Sequence, residues 1–289
     1  MKLRSLPFRP FRRAAQVGIA LLFAVIPFLN RQGMTFLAGN FFYFEAAGAP
    51  LADPLSTLQV ALGAFSLTPS AGLGAGLVLL LALLMGPVFC AWICPYGLFS
   101  ELAHGIASAC GRGAKKTAAD ASVPFPSFAP KAFLVCAGLP AVLFFAPVPL
   151  LNYLSMPGWY ALVMQHIAFY GEILPGALAF ISVLLAVESL SGRRLWCLYL
   201  CPQSVLISLA AAVLPGRLRV RFNGKSCICR GPENPCRGRC SLGLDPRAVQ
   251  RKSRLYCVNC GDCIDACREK GGALNFAFGK AERLRSKSS

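Results

Sequence analysis

The chain has 289 residues, 56% of them hydrophobic and only 14% charged, with 29 Lys and Arg against 12 Asp and Glu. A soluble domain carries about a quarter charged residues, so the composition argues against an ordinary water-soluble fold and for a membrane class. The net charge of +17 raises nucleic acid as a partner, but the basic residues are distributed to one side of the apolar runs, 17 of the 29 in the C-terminal tail, and no nucleic-acid partner is expected.

In chain order, residues 1–13 form a basic lead with Lys2, Arg4, Arg9, Arg12 and Arg13. A bilayer-spanning helix needs about 20 mostly apolar residues. Four runs are read as spans: Ala14 to Leu29, Gly72 to Trp92, Ala132 to Leu151 and Ile173 to Leu190. The first also has the basic flank of a signal peptide, but the nearest Ala-x-Ala, at Ala47 to Ala49, lies too far downstream for cleavage. Residues 30–71 and 152–172 are expected to be external loops, the former with a turn at Asp53-Pro54. Residues 110–131 form a linker with Arg112, Lys115, Lys116 and Lys131. In this four-span arrangement every Lys and Arg except Arg31 falls on one side. The positive-inside rule makes that side the cytoplasm, with both termini there, in a bacterial inner membrane. The excess charge then meets anionic lipid headgroups.

Two copies of one motif stand 107 residues apart. Cys90-x3-Cys94-Pro95 and Cys197-x3-Cys201-Pro202 each end an apolar run, carry a Trp (Trp92, Trp196) and lead into another apolar stretch. Positions i and i+4 share a helix face, so each pair can aim at one target. Pro95 and Pro202 lack an N–H and free the carbonyls of Ala91 and Leu198. Brought together, the four thiols suffice for one iron–sulfur cubane; two redox-active dithiols, or buried structural cysteines, are the alternatives. Cys110 and Cys136 have no spaced partner and read as small apolar fillers.

From Pro215 onward Gly, Pro, Arg and Cys replace aliphatic residues, and residues 215–289 read as a small soluble domain holding eight of the 14 cysteines. A domain of this size needs a crosslink or metal, and metal ligation is preferred in a reducing compartment. Cys257-x2-Cys260-x2-Cys263-x3-Cys267 has the bacterial ferredoxin spacing. Its partner, Cys227-x-Cys229-x6-Cys236-x3-Cys240, starts irregularly. If the halves exchange fourth ligands, one 4Fe-4S cluster takes Cys257, Cys260, Cys263 and Cys240, and the other takes Cys227, Cys229, Cys236 and Cys267. One cluster plus a zinc or a partly vacant site is the alternative.

Two further residues are candidates for proton chemistry. Glu188, near the end of the fourth run, is a membrane carboxylate, with snorkelling or pairing to Arg193 or Arg194 as the plainer expectation. His166, close to Tyr170 and Glu172, could relay a proton, against a polar interfacial loop. His104 could replace a thiol ligand, against a solvated helix histidine.

The segments FCAWICPYG and WCLYLCPQS, four apolar runs and a ferredoxin-type tail resemble NapH-type membrane quinol dehydrogenases and the MauN-type ferredoxin-like membrane proteins; NosR-type regulators share the motif pairs. The resemblance runs from about residue 14 to 278, and the Cys227 to Cys240 half departs from it. It implies electron transfer between the quinone pool and a partner such as a ferredoxin, a cytochrome c or a periplasmic redox protein, through 4Fe-4S clusters. The expected fold is an all-α membrane bundle of four transmembrane helices in two pseudo-equivalent halves (residues 14–214), with a C-terminal ferredoxin-like iron–sulfur domain. A donor or assembly factor for maturation of a periplasmic redox enzyme, and a membrane thiol–disulfide carrier, are the competing functions.

Overall fold

Helix starts in this chain are written by proline and small polar residues, and the helices begin where those residues stand. The computed structural model describes residues 7–34, 36–111, 128–138, 140–141, 153–214, 216–229, 235–247, 255–268 and 270–279. Helix α1 (Phe8–Arg31) follows Pro7 and carries Pro27 inside it. A three-stranded antiparallel meander comes next: β1 (Leu37–Gly39), β2 (Tyr43–Ala46) and β3 (Ala49–Ala52), with Leu37 opposite Ala46 and Tyr43 opposite Ala52. Asp53 then caps α2 (Pro54–Ala64), accepting from the Ser56 N–H at 3.0 Å. Pro69 opens α3 (Pro69–Met85). A short turn, α4 (Phe89–Trp92), precedes α5 (Pro95–Ala109). After α6 (Phe128–Phe133) and a wide π-type turn at Leu134–Gly138 come α7 (Met156–Tyr170), α8 (Pro175–Ser191), the short α9 (Leu195–Tyr199) and α10 (Pro202–Val213). The C-terminal segment contains β4 (Arg219–Phe222), α11 (Pro235–Gly238), α12 (Asp262–Arg268) and β5 (Leu274–Ala277); β4 and β5 pair antiparallel, Val220 opposite Phe276.

The packing exchanges partners between the two motif copies. α3, which leads into the first motif, packs on α10, which leaves the second; α8, which leads into the second, packs on α5, which leaves the first. α1 lies against α7 and α5, with an aromatic cluster of Phe23, Phe41 and Tyr160 between them; the Tyr160 hydroxyl donates to the Ala20 carbonyl at 2.5 Å.

The four-span expectation is overturned. Among the described residues, only α1 is long and apolar enough to cross a membrane. The apolar run Gly72 to Trp92 is broken at Gly86, whose φ of 78° ends α3 at 17 residues, about 26 Å, short of a hydrocarbon core of about 30 Å. α8 is likewise 17 residues, bounded by Pro175 and Gly192. Of the run Ala132 to Leu151, residues 139 and 142–151 lie outside the described residues. Residues 152–172, expected to be an external loop, contain α7, and residues 30–71 contain the meander and α2. A multi-pass topology is not supported, and the assignment of both termini to the cytoplasm loses its basis; α1 stands as the one candidate span near the N terminus. Cys110 and Cys136, expected as buried fillers, are exposed.

Candidate functional site

The duplicated motifs fold identically at the backbone. Cys94 and Cys201 are the residues just before α5 and α10, with φ/ψ of −64°/120° and −62°/112°. Their own N–H groups donate to Phe89 O and Trp196 O, both at 2.9 Å and both five residues back. The expected single helix face for each pair is therefore replaced by a break: Cys90 and Cys197 sit in α4 and α9, while Cys94 and Cys201 cap the next helices. Proline at the first helical position makes this work, because it has no N–H to waste. The N–H groups of Tyr96 and Gly97 turn to the Cys94 sulfur, and those of Gln203 and Ser204 to the Cys201 sulfur. Those N–H groups favour the thiolate form, and burial outweighs them in the protein alone. The carbonyl that Pro95 leaves free, Ala91 O, accepts from Gln16 Nε2 at 2.7 Å.

The four thiols converge. Cys94, Cys197 and Cys201 share an apolar cluster with Tyr96, Met156 and Trp196. Burial raises the Cys90 thiol well above its usual range, and Cys201 and Cys94 beside it push in the same direction. Burial, then neighbouring Cys201, raises Cys94 to about 12 against the opposing N–H groups and Arg194. Neutral thiols that reluctant to ionise are poor partners for disulfide exchange; a bound cation or cluster reverses the balance.

The C-terminal segment docks beneath both motifs. Trp92 Nε1 donates to Asn259 O at 3.3 Å, and Asn259 Nδ2 donates to Met85 O and Leu218 O at 2.9 and 3.0 Å. Arg194 N donates to Ser241 O at 3.3 Å. A pocket there is lined by Cys240, Cys257, Cys260 and Cys263 with Leu242 and Val258. Leu242 and Val258 also wall a second cavity that contains Cys90, Cys197 and Arg194. Cys197, Cys240 and Cys257 pack together around Leu198, Leu242, Leu244 and Tyr256. A further apolar cluster gathers Cys227, Cys236 and Cys267 against Cys257 and Cys263. Cys229 is half-buried beside them; its carbonyl faces the Cys227 sulfur at 3.9 Å and accepts from Arg247 at 3.3 Å. Residues 230–234, the irregular insertion, lie outside the described residues.

These donor sets suit a thiolate-held cluster. The pocket offers four sulfurs and no histidine or carboxylate. Among the described residues no three Cys, His, Asp or Glu side chains stand close enough, as placed, to hold one ion. Burial raises Cys257 to about 11, opposed by the Asn259 N–H.

A buried ion network, not foreseen from sequence, ties the parts together. Arg12, 1% exposed, donates to Glu101 at 2.5 Å and to Asp262 at 3.0 Å, while Arg194 donates to the same Glu101 oxygen at 2.8 Å. Burial alone would raise Glu101, but the Arg12 hydrogen bond and the charges of Arg194, Arg12 and Arg13 hold it below the ordinary carboxylate range. Asp262 lies between Cys260 and Cys263, so Arg12 joins α1 and α5 to the ferredoxin-type run. Lys131, also buried, donates to Cys197 O and Ser204 Oγ, both at 2.8 Å.

Glu188 does not snorkel, and Arg194 pairs with Glu101 while acting on Glu188 through its charge. It is 1% exposed and accepts from Trp196 N–H at 2.9 Å and Ser100 Oγ at 3.1 Å, bridging α9 to α5. Burial raises its pKa, against those hydrogen bonds and one with Tyr96. His166 stands apart from the thiols: it is ten residues beyond Met156 on α7, about 15 Å along the axis, bonded to the Glu172 carbonyl at 3.0 Å and packed on Tyr170. His104 lines an open basin with Glu101, Asp262 and Asp265, away from the thiol pockets.

Comparison with known proteins falls on these motifs. Residues 67–112 and 173–221 match the family model described as a 4Fe-4S binding domain. Each stretch holds one Cys-x3-Cys-Pro copy. A protein of Escherichia coli (strain K12), YccM, named as a proposed electron transport protein, is 26% identical over 195 residues, covering 65% of this chain and 51% of its own length. An uncharacterised protein of Methanocaldococcus jannaschii is 21% identical over 205 residues, covering 70% of this chain and 68% of its own. The chain thus spans about half the length of the E. coli relative. No solved structure matches. These findings support an iron–sulfur electron-transfer family and role; they do not reach the narrower NapH or MauN types.

Proposed function

We propose that the chain is a membrane-associated electron-transfer protein that holds three iron–sulfur clusters in series. The first is held by Cys90, Cys94, Cys197 and Cys201. The second is held by Cys240, Cys257, Cys260 and Cys263, and the third by Cys227, Cys229, Cys236 and Cys267. The observation that carries this reading is the shared wall of Leu242 and Val258 between the first two thiol pockets, continued by the packing of Cys257 and Cys263 against Cys236 and Cys267. Clusters bound there supply one-electron redox chemistry. The protein's part is to keep the sulfurs dry, to aim helix N-terminal N–H groups at Cys94 and Cys201, and to hold the stations in contact through the Arg12 network.

A quinone is the carrier we assign to the helical end, where Leu73 and Val183 leave apolar helix faces 72% and 64% exposed. A soluble redox protein suits the other end, where Ile228 stands 68% exposed between Cys227 and Cys229. The test is an anaerobic iron and sulfide count with EPR: about 12 of each per chain are expected for three cubanes. C94S, C260S and C236S should each delete one distinct signal. A folded, oxygen-protected chain whose cysteines all react with an alkylating agent would refute the reading. Reduction of the clusters by a quinol in lipid vesicles tests the quinone assignment separately.

A further inference from the structure

The buried cations near the first four thiols are not equivalent. Gly97 and Ser204 are the same position in the two motif copies. Arg194 reaches the first, donating to Gly97 O at 3.1 Å, and Lys131 reaches the second, donating to Ser204 Oγ at 2.8 Å. Arg194 shares Glu101 as its counter-charge. Lys131 is different: no carboxylate among the described residues pairs with it, its two acceptors are neutral, and its side chain is buried. Burial lowers the Lys131 pKa, and the nearby sulfurs of Cys201, Cys197 and Cys90 act in the opposite direction. A desolvated ammonium without an anion is costly, so the fold is completed by negative charge at those sulfurs.

We propose that Lys131 is the fixed counter-ion of the cluster held by Cys90, Cys94, Cys197 and Cys201, and that its charge raises the reduction potential of that station. It touches neither iron nor substrate in this role; it positions charge. One-electron reduction adds negative charge beside Nζ, and the cation favours the reduced form. Arg194, already balanced by Glu101, contributes less.

The inference rests on the three-cluster reading, and the experiment separates the two. In the full-length wild-type chain, the first station is identified as the EPR signal lost in C94S; if wild type has no such signal, it is the reading that fails. Given that signal, its midpoint potential is measured by anaerobic redox titration in K131Q, which keeps donors but not charge, and in K131R. We expect K131Q to shift the reduction equilibrium at least tenfold towards the oxidised form, about 59 mV for one electron, with K131R close to wild type and the other stations unmoved. Assembly of the station in K131R but not in K131Q also supports the proposal, since only the charge differs in kind. An unshifted K131Q, equal shifts in both variants, or loss of the station in both would overturn it.

Discussion

In the proposed function the two cysteine systems hold the same kind of cluster, and they place their sulfurs by different physical routes. In the duplicated motifs the sulfurs are placed by secondary structure itself: a chain break, a proline at the first helical position and N–H groups turned to Cys94 and Cys201. In the C-terminal segment the sulfurs sit on loops and on the short helices α11 and α12, and the segment docks through Trp92, Asn259 and Arg12. Helices place their thiols by backbone geometry, whereas a small loop-rich segment takes its order from the surface it rests on and, under the proposed function, from the clusters it would hold. The family match falls on the former region.

The sharpest way to break this contrast is to remove a sulfur from each region. C263S should delete the second station, about four irons, and uncouple the third from the first, while the first station keeps its EPR signal; C94S should delete only the first. If C263S abolishes all signals, the segment and the helices are not separable in the way described. Next in size is Arg12. R12M leaves Asp262 without its buried partner and Glu101 with Arg194 as its buried partner, and breaking such a pair costs about 3–5 kcal/mol. The loss should appear as faster hydrogen exchange in α12 with α3 and α10 unchanged.

Asp53 offers a change confined to the helical region. Burial pushes its carboxyl from 3.8 up to about 6, against hydrogen bonds from Ser56 and from Gln203, which directly follows Pro202. Between those values the folded chain holds a proton that the unfolded chain has released, so stability falls as pH rises through that window. D53N should flatten this slope, worth up to about 3 kcal/mol, in denaturant titrations at a series of pH values, with the C-terminal signals unaffected. The mildest perturbation is G86A. A Cβ there would stand 2.7 Å from Asn259 Nδ2, and φ is +78°, a conformation that costs a non-glycine residue about 1–3 kcal/mol. We expect slower electron exchange between the first two stations with all irons retained.

The chemistry was legible at the level of spacing. The repeat of Cys-x3-Cys-Pro announced two equivalent units, and the structure returns them with matching dihedrals and hydrogen bonds. Cys240 lines one pocket with Cys257, Cys260 and Cys263, and their sharing of one cluster belongs to the proposal. Length was misread. An apolar window cannot see that Gly86-Pro87 turns the chain, so Gly72 to Trp92 counted as a span although its helix stops at Met85. Residues 152–172, expected as an external loop, hold α7, which Ser155 caps and Pro157 opens.

What the sequence determined by itself is local: which residues are sulfur donors, how far apart they stand and where prolines and capping side chains start helices, because these depend on a few covalently adjacent groups. Only the tertiary structure decided that α3 pairs with α10 and α8 with α5, that Arg12 reaches Asp262 across 250 residues, and that Lys131 is buried against Cys197. Burial and charge compensation are sums over neighbours distant in the chain, and no reading of adjacent residues contains those terms.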